Sequence, residues 1–81
     1  MGLKENQQLA EQYPILEYFK YNHLHPALKE VSAPFCTLAW KLARKLPRNA
    51  ETSVSLRKLL ESKDAAVRAA IDIQLETERM V

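Results

Sequence analysis

Eighty-one residues allow one small domain, and one Gly, four Pro and 47% apolar residues give the composition of a globular, all-α chain. The lone Gly, at position 2, excludes a P-loop or a dinucleotide-binding fold, both of which need several glycines where backbone meets phosphate. A net charge of +2, from 12 Lys+Arg against 10 Asp+Glu, is too balanced for an indiscriminate nucleic-acid coat but leaves room for a local anion site.

In chain order, the first element is a short helix near residues 5–21, with a bend possible at Pro14 ahead of Ile15, Leu16, Tyr18 and Phe19. Asn22-His23-Leu24-His25 is a connector, and Pro26 opens a second helix that runs to about Lys45. Its apolar stripe is Leu28, Val31, Phe35, Leu38 and Leu42, with Trp40 beside it. Pro34 lies inside that helix and removes a backbone donor, so a kink or a break is expected there. Pro47-Arg48-Asn49-Ala50 is the turn of a helical hairpin, and Asn49, Thr52 and Ser53 are the candidate caps of the third helix.

That third helix carries two adjacent stripes, Leu56, Leu60, Val67, Ile71 and Leu59, Ala66, Ala70, Ile73, consistent with up to 30 residues. At such a length it spans about 45 Å and outruns the second helix by a third. The apolar surface near Ile71 to Leu75 is therefore expected to meet another copy of the chain. A single Cys offers no disulfide to compensate a small core, which also favours self-association. No apolar run approaches the roughly 18 residues of a membrane span, and Met1-Gly2-Leu3-Lys4-Glu5-Asn6 has no apolar signal-peptide core. The expectation is one cytosolic domain over residues 1–81, with no membrane and no DNA as partner.

The residues carry no catalytic constellation: there is no nucleophile with an adjacent base and orienting group, and no set of three or four converging metal ligands. Cys36, at the edge of the apolar stripe, reads as a small buried thiol. His23 and His25 could chelate only weakly, so neither a metal nor a cofactor is expected. Tyr18, Phe19 and Tyr21 lead into the His-bearing connector, and a ring beside a helix junction can stack on a base while a nearby cation meets phosphate. Tyr18 and Phe19 point about 100° apart on a helix, so one can pack inside while the other lines a surface. Residues 41–68 hold eight Lys/Arg and three Asp/Glu, a net +5, while the remainder nets −3. Lys41, Arg44, Lys45 and Arg48 suit the carbonyl end of the second helix, and Arg57, Glu61, Asp64 and Arg68 suit an ion-pair ladder or a polar seam between subunits.

Three blocks in order carry a family resemblance: Tyr18-Phe19-Lys20-Tyr21-Asn22-His23-Leu24, Val31-Ser32-Ala33-Pro34-Phe35-Cys36, and Leu56-Arg57-Lys58-Leu59-Leu60-Glu61-Ser62-Lys63-Asp64-Ala65-Ala66-Val67-Arg68-Ala69. Over roughly residues 15–71 the chain resembles the phage anti-CBASS sponge proteins, which sequester the cyclic oligonucleotide messengers of bacterial anti-phage signalling without cleaving them. The resemblance implies a short helix before a long antiparallel hairpin, assembled into a compact hexamer with ligand pockets between subunits, in the cytoplasm of the infected bacterial host. It implies that Tyr18 stacks on a base of a cyclic dinucleotide such as cyclic GMP-AMP.

A lysine just before the Pro-Phe pair contacts the same ligand in familiar members, and this chain has Ala33 there. Loss of that charge removes about 1.5 to 3 kcal/mol of phosphate contact, and Lys29, one helical turn earlier, is the residue that could substitute. The resemblance also implies separate pockets for cyclic trinucleotides such as cyclic tri-adenylate, with Arg68 contributing and Arg57 and Lys63 beside it. The full ligand set under this reading is Tyr18, Tyr21, His23, Lys29, Ser32, Ala33, Arg57, Lys63 and Arg68. The rival reading is a helical adaptor whose aromatic block is core and whose third helix docks another protein. A small DNA-binding domain using residues 41–48 is poorer, since no recognition-helix arrangement is visible.

Overall fold

A computed structural model describes residues 3–79, and those residues are all-helical: α1 (Leu3–Gln12), a 3-10 helix (Pro14–Phe19), α2 (Pro26–Lys45) and α3 (Ala50–Arg79). The first departure from expectation is at Pro14. Instead of one bent helix over 5–21, the chain ends α1 at Gln12 and starts again. A residue before proline is pushed out of the helical region, and Tyr13 sits at φ −127°, ψ 80°. Its N–H still donates to the Leu9 carbonyl at 2.8 Å, closing the last turn of α1.

The 3-10 geometry that follows has a packing consequence. With three residues per turn, side chains three apart eclipse one another. Tyr13, Leu16 and Phe19 therefore share one edge, and all three are buried, Phe19 completely. Burial of rings and a leucine on a single edge gives this short element its place against α1, α2 and α3.

His25 caps α2: its Nδ1 accepts from the Ala27 N–H at 3.1 Å, and Pro26 follows in the first turn. The expected interruption at Pro34 does not break the element, which runs continuously from Pro26 to Lys45. Pro34 cannot donate to the Glu30 carbonyl, but both residues are exposed, so water can serve that acceptor. A second correction concerns the stripe. The fully covered line on α2 is Leu28, Ser32, Ala39 and Ala43, while the predicted stripe member Leu38 is exposed. Small side chains let two helix backbones approach, so they take the line of closest contact and the larger Phe35, Trp40 and Leu42 flank it, partly buried.

Leu46, held extended by Pro47, ends α2 (φ −90°, ψ 148°), and Arg44 and Lys45 occupy its last turn, where cations favour the dipole. Of the three candidate caps for α3, Asn49 does the capping: its Oδ1 accepts from the Thr52 N–H at 2.9 Å. Thr52 is buried and its Oγ1 donates to the Pro47 carbonyl at 2.6 Å, tying the turn across residues 47–52. α2 and α3 then form the most extensive contact between elements.

α3 sets the shape. Its 30 residues span about 45 Å, matching the long axis of 46 Å. The radius of gyration, 14.5 Å, exceeds the roughly 12 Å of a compact chain this long. Leu56 and Ala70 are buried on α3, whereas the stripe members Ile71 and Ile73, with Leu75, are exposed. No described helix is long and apolar enough to cross a membrane.

Candidate functional site

An open cavity of about 600 Å³ lies where α1, the 3-10 helix and α2 meet. Its wall is Ala10, Pro14, Leu16 and Trp40, with Glu17, Tyr18 and Lys20 around them. The same three-residue periodicity that buries Leu16 and Phe19 turns Tyr18 outward, leaving it 67% exposed. Trp40 reaches the cavity from α2 while packing partly against the core. Lys20 follows the 3-10 helix in extended backbone, and its ammonium lies 2.8 Å from Glu17 Oε1, both side chains being well exposed. Two aromatic groups, one ammonium and one carboxylate thus border the same space.

A second, smaller hollow of about 250 Å³ lies between the end of α1 and the first turns of α3 and is bordered by Tyr13, Ser53 and Arg57. Of the sequence-predicted ligand set, Tyr18 borders the first hollow and Arg57 the second. The others are dispersed. Tyr21 is half-buried and His23 is exposed in the connector; Lys29 and Ala33 are half-buried on α2. Ser32 is completely buried, its Oγ without a hydrogen-bond partner among the described residues. Lys63 is largely covered and its Nζ lies 2.8 Å from Asp64 Oδ1; Arg68 is exposed.

The expected ladder of Arg57, Glu61, Asp64 and Arg68 does not form as such. The ion pairs on α3 are Lys58 with Glu61 at 3.7 Å and Lys63 with Asp64, so among the described residues both arginines stay outside the 4 Å pairs. Lys58 reaches the carboxylate three residues on along the same helix face, and an exposed pair of this kind is worth under about 1 kcal/mol. Sequence reasoning also missed Lys20 and Trp40 as neighbours of Tyr18. Lys20 lies in the same aromatic block, two residues from Tyr18, whereas Trp40 is brought in only by packing of α2.

Burial pushes the Cys36 thiol above its usual range, with a hydrogen bond from Trp40 acting in the opposite sense. A thiol so held is poorly ionised at neutral pH, which does not suit a nucleophile. His25 is engaged as a helix cap, and among the described residues no three His, Cys, Asp or Glu side chains gather to hold a metal ion. Compared with protein-family models, with curated proteins and with solved structures, the chain finds no match.

Proposed function

We propose that this protein is a phage anti-immune sponge, binding cyclic oligonucleotide messengers without cleaving them and so keeping the host's effector inactive. The observation that carries the reading is Tyr18: the ring stands exposed at a cavity mouth although Leu16 and Phe19 on either side of it are buried. An exposed ring beside a cation is a platform for a base and its phosphate, and a cavity of about 600 Å³ accommodates a nucleotide-sized group. Binding of this kind needs stacked rings and a few donors, not a positioned base or metal.

In this reading α2 and α3 are the arms of an antiparallel hairpin, and several hairpins assemble, as a hexamer in the family resembled, in the cytoplasm of the infected host. Assembly brings short chains together so that each pocket draws groups from more than one of them. Arg57, Lys63 and Arg68 remain the candidates for a separate trinucleotide pocket.

The test is calorimetric titration with cyclic GMP-AMP and with cyclic tri-adenylate, followed by heating and chromatography of the released ligand. Uncut messenger recovered from a saturated protein is the expected result; a cleaved product means an enzyme. Tyr18→Ala abolishes cyclic GMP-AMP binding and spares cyclic tri-adenylate, and equal loss of both would contradict separate pockets. One observation favours a second reading: Ile71, Ile73 and Leu75 stand exposed in the C-terminal third of α3. A folded protein that gives no heat with either messenger is then a helical adaptor using that end of α3.

A further inference from the structure

Lys29 is the expected stand-in for the ammonium missing at position 33, yet it does not border the cavity that holds Tyr18. Lys20 does. Its side chain is 64% exposed, and its only ion-pair partner among the described residues is Glu17, itself 67% exposed. An exposed pair of this kind holds its cation weakly, by a factor of about two to five. Such a cation can be surrendered to a stronger anion.

Trp40, the only tryptophan in the chain, lines the same cavity. A hollow with Tyr18 and Trp40 on its border has two aromatic side chains within reach of a planar base, and an ammonium beside them meets the negative charge that a nucleotide's phosphate carries. The buffered position of Lys20 matters here. Glu17 occupies the ammonium when the site is empty, and a phosphodiester must displace or share it.

We infer that Lys20 is the phosphate-directed cation of the Tyr18 cavity, that Trp40 is the cavity's second aromatic wall, and that Glu17 competes with the ligand for Lys20. The inference rests on the cyclic-dinucleotide reading above and assigns to it residues that the family resemblance does not supply. It accounts for how a chain with Ala33 retains a charge beside Tyr18. It also makes the carboxylate a brake on affinity, so that its removal strengthens binding.

The experiment titrates the full chain, Lys20→Gln, Glu17→Gln and Lys29→Gln with cyclic GMP-AMP, reading heat and Trp40 fluorescence together. The ligand changes the fluorescence of the parent protein, because the sole indole borders the site. Lys20→Gln weakens binding about ten-fold or more, and Glu17→Gln tightens it about two- to five-fold. Both positions are exposed, and an unchanged melting temperature confirms that the variants fold. Parent-like binding by Lys20→Gln, with the loss falling on Lys29→Gln instead, overturns the inference while the sponge reading stands. Heat without a fluorescence change removes Trp40 from the site, and weaker binding by Glu17→Gln removes the competition. Absence of heat from the parent protein ends the sponge reading and the inference with it.

Discussion

The two ends of α3 face different surroundings. Near its start, Leu56 is buried in one cluster with Leu16 and Phe19 of the 3-10 helix and Ala39 and Ala43 of α2, Thr52 is buried beside the turn, and that turn is fixed by Asn49 and Pro47. Near its finish, Ile71, Ile73 and Leu75 are exposed, and the hydrogen bonds of that stretch are local ones, such as Thr77 Oγ1 to the Ile73 carbonyl at 3.0 Å. The helix is continuous through both regions, so the difference is not one of secondary structure. It is one of partners: apolar spacing creates a face, and only a neighbouring element converts that face into stability.

The comparison is sharpest when similar truncations are made at each end. Leu56→Ala costs about 2 to 5 kcal/mol, because the side chain is fully buried and a cavity remains behind it. Urea denaturation measures this, and a loss below about 0.5 kcal/mol would show that the start of α3 is not core. Removing the cap by Asn49→Ala costs about 1 kcal/mol, read from the same curves, since one helical N–H loses its acceptor.

At the other end, Ile73→Ala alters the stability of the single chain by no more than about 0.5 kcal/mol. Ile73→Glu, by contrast, lowers the mass seen by light scattering if this end joins copies in the proposed assembly. An unchanged mass would place the interface elsewhere. A smaller effect separates α2 from both ends and appears only in alkali. The folded-state pKa of Cys36 is raised from its ordinary 9.0, so between the unfolded and folded values the native state holds the proton more often. Stability therefore falls as pH rises past about 9, and Cys36→Ala removes that part of the fall.

Much of the outline could be read from residues alone. Pro26 and the basic residues near Lys45 bracket α2 as expected, and Asn49 lies among the caps proposed for α3. The 3-10 helix was not readable, because Tyr13, Leu16 and Phe19 at steps of three also fit one face of an α-helix. The stripe on α2 departs from the pattern at Leu38 alone, while Leu28 is buried and Phe35 and Leu42 pack against the core. Periodicity weighs residues by apolarity and favours Leu38, whereas helices in contact place Ser32, Ala39 and Ala43 at the line of closest approach. Of the residues that line the cavity, Tyr18 stands out in the sequence through its aromatic block. Its association with Trp40 does not, since the two lie 22 positions apart with a connector between them.

What the sequence by itself determined is the helical class, the elements bounded by Pro26, Pro47 and Asn49, and the surplus length of α3. Those follow from local rules, namely which residues cap, which lack an N–H and which recur every three or four positions. The tertiary structure alone decided which side of each helix is covered, that Pro14 divides rather than bends the first segment, and that Lys20, Tyr18 and Trp40 share a cavity. Burial is a property of two surfaces together, and a spacing pattern describes only one of them.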